Sequence, residues 1–348
     1  MATGIDIDSK KVAGTLIIDN DKPVCGLSKE DGLRVLNIKQ ALSEYDGLKD
    51  YYWKLVDPNK DEYTKAALND LHSGYFVKTE KGIKLSKPVQ TCLYIGTNGF
   101  FQNIHNVIIA EEGSELNILT ACLTGEKIKT ASHVGVTEIY VKKGAKVVFT
   151  MIHNWDEDVT VRPRTAIRVE EGGTFISNYI CLRPVADIQM YPVCYLDGQN
   201  SFGSFNTYIY VHPKSKLDLG GRIVLKGENS RGEILNRVVC NQGEIYNRGQ
   251  LVGLARGVKA HLDCRGLIMK DGGMIQAIPE LEARLADLDM THEASIGRVS
   301  EEQIEYLMAR GLSESQAVSM IIKGFLDENN NKLPKVVEAE LNKLFADK

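Results

Sequence analysis

A short frame recurs along the middle of the chain and constrains the fold more than any other feature: a charged or polar pair, a glycine, a small or polar residue, then an apolar-containing stretch. It reads EEGSELNIL (111–119), KKGAKVVFT (142–150), EEGGTFISN (170–178), NQGEIYNRG (241–249) and KDGGMIQAI (270–278), and HPKSKLDLGG (212–221) carries Ser215 at the glycine position. The anchors Gly113, Gly144, Gly172, Ser215, Gly243 and Gly272 are separated by 31, 28, 43, 28 and 29 residues. Self-similarity at a period of about 20–50 residues marks a solenoid or a propeller, because each repeat buries its apolar face only against its neighbours. A propeller blade needs a period nearer about 40–45 residues and usually a Trp-Asp signal. Only Trp53 and Trp155 are present, so the spacing favours a β-helix. There, coils stack at about 4.8 Å and glycine serves the turns where φ is positive.

The repeat zone, roughly 86–285, is flanked by segments of helical texture. Residues 1–85 read as mostly helical: DGLRVLNIKQALSEY (31–45) and DEYTKAALNDLHSG (61–74) place apolar residues at helical spacing, with Asp57-Pro58-Asn59 as a turn between them and Gly74 as a stop. Residues 286–348 read as helical again. Ser300 with Gln303 and Ser313 with Gln316 form capping boxes, Gly311 suits a C′ position, and Pro334 suits the first turn of a last helix, PKVVEAELNKLF. These helices carry Ile304, Leu307, Met308, Met320 and Phe325, residues that either pack on the β zone or form a docking surface.

Several function classes are excluded by what is missing. There is no GxxxxGK[ST] loop, GxGxxG turn, GxSxG elbow or HExxH helix, so nucleotide hydrolysis has to come from another chain. A net charge of −4 gives no electrostatic reason to expect nucleic acid or anionic lipid. The start MATGIDIDSKK is not a signal peptide, and no apolar run approaches the roughly 18–20 residues that span a bilayer, so the expectation is a cytoplasmic protein. A β-helical polysaccharide lyase would need converging carboxylates, whereas Asp187, Asp197 and Asp263 are scattered.

Seven cysteines, with no CxxC pair, read as free thiols, about five of them core residues. The exceptions to consider are Cys194 in QMYPVCYLDGQNS, Cys264 in AHLDCRGLIMKDGG, and Cys240, which precedes Cys264 by 24 residues. That interval is about five short of the repeat, and spacing alone does not decide whether the two thiols meet. His292-Glu293 follows directly, in DLDMTHEASIGRVS. Thiolate, imidazole and carboxylate together can bind iron; core packing is the competing reading.

The segment THEASIGRVSEEQIEYLMARGLSESQAVSMIIKGFL (291–326) resembles the C-terminal signature of the SufB/SufD family. Further similarities follow in the same order: ALNDLHSGYFVKTEKGIKL (67–85), MIHNW (151–155) and GSFNTYIYVHPKSKLDLGGRIVLKGENSRGEI (203–234). The resemblance implies a mainly β protein, a right-handed parallel β-helix flanked by helical N- and C-terminal regions. It implies a non-enzymatic scaffold for iron–sulfur cluster assembly that works as a dimer with a SufC-type ABC ATPase docked on the C-terminal helices. By length the chain reads as the compact archaeal form, which is expected to pair with itself. Carried over residue by residue, Cys194 becomes the sulfur acceptor, Cys264 a cluster ligand near the dimer interface, and His292 and Glu293 further ligands. Cys240 stands where the bacterial pattern has a serine, and is either an additional ligand or inert. The cargo expected is an iron–sulfur cluster, 4Fe-4S being favoured. The alternative within the family is a SufD-like structural subunit that holds no cluster itself.

Overall fold

The computed structural model describes residues 11–326 together with positions 338, 339 and 342. The chain opens with β1 (Gly14–Asp19), β2 (Lys22–Ser28), β3 (Leu33–Asn37), α1 (Ile38–Glu44), a 3₁₀ turn at Asp46–Asp50, α2 (Glu62–Asn69) and β4 (Tyr75–Thr79). Strands then follow one another without an intervening helix: β5 (Val89–Ile95), β6 (Phe101–Ala110), β7 (Glu115–Thr124), β8 (Thr130–Val141), β9 (Lys146–Asn154), β10 (Asp158–Val169) and β11 (Thr174–Cys181). They continue as β12 (Asp187–Met190), β13 (Val193–Leu196), β14 (Phe202–Val211), β15 (Lys216–Leu225), β16 (Arg231–Asn241), β17 (Glu244–Gly253), β18 (Val258–Lys270), β19 (Met274–Ala283) and β20 (Leu288–Arg298). Two helices, α3 (Glu301–Ala309) and α4 (Glu314–Leu326), complete the described residues.

Strands alternate between two ten-stranded sheets, ordered β2-β1-β5-β7-β9-β11-β14-β16-β18-β20 and β19-β17-β15-β12-β10-β8-β6-β4-β3, with β13 continuing the rung of β12 between β10 and β15. From β5 onward every pairing is parallel, which makes a β-solenoid of about eight turns. Pro192 lacks the N–H a ladder requires, and the rung carrying it is split into β12 and β13. The first turn is closed by the antiparallel pairs β1–β2 and β3–β4. At the other end β19 and β20 are the last strands of their sheets, and the apolar Leu281, Leu285 and Ile296 are exposed there.

The stacking explains the 43-residue interval in the repeat. Gly82, Gly113, Gly144, Gly172, Asn200, Asn229 and Gly257 form one column of left-handed residues, φ between 56° and 75°. Each donates its N–H to a carbonyl one coil further on, from Gly82 to Glu112 (2.8 Å) through to Gly257 to Asp287 (3.2 Å). Lys214, Gln242 and Gly272 form a second positive-φ column at the opposite edge. The sequence frame passes from the first column to the second between Gly172 and Ser215, so 43 residues is one coil and a half. At Asn200 and Asn229 the first column runs on without glycine, since Asn tolerates this conformation best among residues with a side chain.

Residues 14–79 are not mostly helical. Leu33 and Val35 are buried while Arg34 is exposed, a period of two that makes 33–37 a strand, and Asn37 then caps α1 by accepting Lys39 N–H. The second helix ends at Asn69, and Gly74 serves a close approach instead: a Cβ there would stand 1.8 Å from the His105 carbonyl oxygen. At the far end, residues 288–298 are strand, because β20 adds a rung to β18. Both C-terminal helices start where the capping residues lie; Ser313 and Gln316 bond reciprocally, and Gly311 has φ 96°. The helix expected over 334–345 falls outside the described residues apart from three positions. Among the described residues no helix is long and apolar enough to cross a membrane.

Candidate functional site

Alternation along each strand turns every second side chain into the space between the sheets. Register in the first sheet stacks Thr91, Thr120, Met151, Tyr179, Thr207, Asn236, Cys264 and Ala294 in one inward column. Most of these carry a polar atom: Thr91 and Thr120 share a hydrogen bond of 2.7 Å, and Tyr75 reaches Thr120 from the facing sheet. A cavity of about 30 Å³ lies along this column, bounded by Met151, Tyr179, Thr207 and Asn236 and by Met190, Pro192 and Phe205. Beside it Cys122, His153 and Cys181 occupy successive rungs. His153 Nδ1 and the Tyr179 hydroxyl are 2.9 Å apart, and His133 Nδ1 lies 2.8 Å from Gln102 Oε1. Burial lowers the His133 pKa to about 4; the same cause, with the neighbouring His133 adding to it, puts His153 well below the usual range.

Cys194 lies on β13 between Ile167 and Ile223 of the adjacent rungs, fully buried. The facing strand has Gly203, where a Cβ would stand 3.2 Å from the thiol sulfur. Burial, reinforced by Asp197, pushes the Cys194 thiol pKa far above its usual value. Cys264 lies on β18, also inward and fully buried, one rung beneath Ala294 of the last coil. Its pKa is pushed up to about 11, mainly by burial, with Asn236 pulling it down, Asp263 up and Arg237 down. Cys240 is inward on β16 but registers with Ile268, four residues along the strand from Cys264, roughly 13 Å at the strand rise. Its thiol donates to the Gly243 carbonyl at 3.2 Å, which ties it to the turn before β17.

His292 and Glu293 both lie on β20 and are exposed. His292 registers with Leu262 and shares the inward parity of Cys264, a diagonal neighbour about 8 Å away. Glu293 registers with Asp263 on the outer face, where Arg265 approaches it at 3.5 Å. Asp263 itself is buried and receives Arg237 at 2.6 Å and Arg265 at 3.1 Å. The structure thus brings Cys264 and His292 to one face, puts Glu293 on the other, and leaves Cys240 apart. Among the described residues no three His, Cys, Asp or Glu side chains are placed to hold one metal ion. The scattered acids are each neutralised: Asp187 pairs with Arg162, and Asp197 with Arg168 and Lys226.

The C-terminal helices lie on the outer face of the first sheet. Ile322 and Leu326 are buried against Ile152, Ile180, Tyr210 and Val239, with Ile304 and Phe325 packed at the margin. Leu307 is half-buried. Met308 and Met320 are exposed by 43% and 52%, as is Tyr306 by 58%. Of the expected docking residues, then, Ile304 and Phe325 hold the helices down and the two methionines face outward.

The reading of the residues missed Asn236, Asn247 and the Arg237–Asp263–Arg265 cluster. A signal for Asn236 was there: Ile234, Asn236, Val238 and Cys240 alternate with outward residues, so a period-two reading places an amide in the core.

A family model described as "SUF system FeS cluster assembly, SufBD core domain" matches residues 93–325. The chain is 44% identical over 340 residues to an iron-sulfur cluster assembly SufBD family protein of Archaeoglobus fulgidus, covering 98% of this chain and 91% of that one. It is 42% identical over 349 residues to the like-named protein of Methanothermobacter thermautotrophicus, covering 99% and 85%. A SufBD family protein of Pyrococcus horikoshii is 30% identical over 315 residues, covering 90% and 70%.

Proposed function

The chain belongs to the SufBD family of iron–sulfur cluster assembly proteins, and from that premise we propose that it is a homodimeric scaffold that builds a cluster at the open end of its solenoid. Membership gives it a role in cluster assembly; the site, the partner and the dimer are our reading. The observation that carries the reading is the place of Cys264: the inward polar column ends at this thiol, one rung from the exposed His292.

A buried thiol at a pKa near 11 is a poor ligand as it stands. Iron would have to displace its proton, and opening of the last coil would admit both iron and solvent. That opening has a lever. Only two residues separate the end of β20 at Arg298 from the start of α3 at Glu301, so a pull on the C-terminal helices acts on the strand that carries His292 and Glu293. A SufC-type ABC ATPase gripping Met308 and Met320 would supply the pull, and the absence of a phosphate loop from the sequence accords with a separate ATPase. Cys194, as its thiolate, would attack the outer sulfur of a persulfide carried by a donor, forming the Cys194 persulfide and releasing the donor's thiolate. The cavity along the column, with room for about one water, reaches Asn236 and would have to widen for sulfur to pass on to Cys264.

The dimer reading has its own support. Among the described residues both ends of the solenoid finish in edge strands with exposed apolar side chains, β2 and β3 with Val24 and Leu27 at the first and β19 and β20 with Leu281, Leu285 and Ile296 at the last, and the last is the end that carries Cys264 and His292. Such an end is a template for pairing with a second copy. A dimer would also bring a second His292 and Glu293 to a site that lacks three ligands within the described residues of one chain.

The test is anaerobic reconstitution of the chain, alone and with the ATPase, from ferrous iron and sulfide. Wild type should develop the visible absorption of a cluster, Cys264→Ser should lose it, and Cys240→Ser should keep it if that thiol only ties its turn. No cluster under any condition, with the ATPase still bound, would replace this reading with that of a structural subunit supporting a separate cluster-bearing partner.

A further inference from the structure

Asn236 is the only carboxamide in the inward column, one rung before Cys264, and it is 2% exposed. Its Nδ2 lies 2.7 Å from Asn247 Oδ1 on the facing sheet, 3.2 Å from the Arg248 carbonyl oxygen and 3.7 Å from the Cys264 sulfur. Three acceptors compete for two N–H bonds, so the contact with the neutral thiol is the weakest of the three. Asn247, 3% exposed, has an Nδ2 with no acceptor. Burying an unpaired amide donor is costly, and replacing both members of a buried polar pair by apolar groups is often neutral. Core packing alone therefore gives no reason for this pair between Ile234 and Val238 on one strand and Ile245 and Leu251 on the other.

We propose that Asn236, anchored by Asn247, is a positioning residue for Cys264: its amide N–H aims the sulfur and bonds to it when the sulfur becomes an anionic cluster ligand. The inference rests on the reading of Cys264 as a ligand and adds a residue that this reading does not contain. A hydrogen bond to a charged acceptor is shorter and about twice as strong as one to a neutral acceptor. Loss of the thiol proton therefore shifts the competition for the two N–H bonds toward sulfur. The spare donor on Asn247 belongs to the same pair, so the anchor has a hydrogen to offer as Asn236 turns. Asn236 also bounds the small cavity along the column, so it stands between that cavity and the thiol. Hydrogen bonds to ligand sulfurs are among the factors that set a cluster's reduction potential.

The experiment uses the full chain reconstituted with ferrous iron and sulfide, in wild type, Cys264→Ser, the double variant Asn236→Leu/Asn247→Leu, and Asn236→Asp. The double variant removes both polar groups, so its cluster-free thermal midpoint should match or exceed that of wild type. Its iron loading should weaken roughly 10- to 100-fold, its iron–thiolate stretching bands should shift, and its cluster reduction potential should fall. Asn236→Asp keeps the shape but replaces the donor by an acceptor, and should weaken loading at least as much, which keeps the test alive should the double variant not fold. Wild-type loading, bands and potential in these variants, with Cys264→Ser still empty, would overturn the role of Asn236 and leave the ligand reading standing. An unchanged cluster in Cys264→Ser would overturn both.

Discussion

Glu138 offers the sharpest test of how the N-terminal segment is held to the solenoid. This carboxylate on β8 points outward yet is completely buried, beneath the loop that follows the 3₁₀ turn. One oxygen accepts the N–H of Leu55 at 2.6 Å and of Val56 at 3.1 Å. The other accepts Trp53 N–H at 2.6 Å and lies 2.9 Å from His105 Nε2. Trp53 is held at φ 57°, an unusual value for a bulky residue, and Tyr52 stacks on His105 with ring centroids 4.2 Å apart. Glu138→Ala would leave three backbone donors, the buried Val56 and the half-buried Trp53 and Leu55, and the buried His105 imidazole without their acceptor. Each orphaned donor costs about 1–3 kcal/mol, and partial solvation of the freed loop brings the net toward the roughly 3–5 kcal/mol typical of a broken buried pair. Taking about 4 kcal/mol, amide hydrogen exchange at Trp53, Leu55 and Val56 should accelerate by about a thousandfold. Glu138→Gln keeps one acceptor oxygen and should lose about half as much. Exchange at these three amides rising less than about tenfold in Glu138→Ala would show that the loop is held by its ring contacts, and the reasoning from the carboxylate would fail.

Acid should destabilise the solenoid before its carboxylates titrate. His133 titrates at about 4 when folded, against 6.5 for the free side chain, so the unfolded chain takes up the proton first. Stability is full above about pH 6.5, falls as pH drops, and by pH 4 the loss from this residue is about 3 kcal/mol; His153 and His105, lowered mainly by burial, act in the same direction. Urea midpoints at pH 7 and 4.5 check this, and His133→Gln should flatten the slope. Gly74→Ala should cost about 3 kcal/mol or more, since the new Cβ meets the His105 carbonyl oxygen; a thermal midpoint within a degree or two of wild type would contradict it. If the proposed ATPase docks on these helices, Met308→Ala and Met320→Ala should each weaken its binding roughly tenfold without changing the thermal midpoint, whereas Ile322→Ala, at a fully buried position, should cost about 2–5 kcal/mol of stability; titration calorimetry and melting separate the two effects.

Several parts of the fold are legible in the sequence. The sequence pattern indicated stacked coils because each coil turns through a residue at positive φ, which glycine adopts most readily, and the two capping boxes marked α3 and α4 because Ser and Gln satisfy helix-end donors locally. The same pattern hid the continuation of the first column through Asn200 and Asn229, since asparagine does the work of glycine there. It also misread 31–37, where Leu33, Val35 and Asn37 follow strand parity but the apolar residues around them also fit a helix. The cysteines were visible as types and positions, yet whether Cys240 meets Cys264 depends on register, and register comes from the pairing of β16 with β18.

By itself, then, the sequence determined the period, the two helical starts and the family signature, because these are set by interactions between residues near each other along the chain. Which side of a sheet a residue faces, and which residues become neighbours a coil apart, was decided only by stacking. A shift of one residue in β18 would turn Cys264 outward and Asp263 inward, and the same shift in β16 would turn Asn236 outward. The choice between those arrangements is made by the apolar core of the whole solenoid, which buries Ile234, Val238 and Leu262 on the inward side, and no short stretch of chain contains that information.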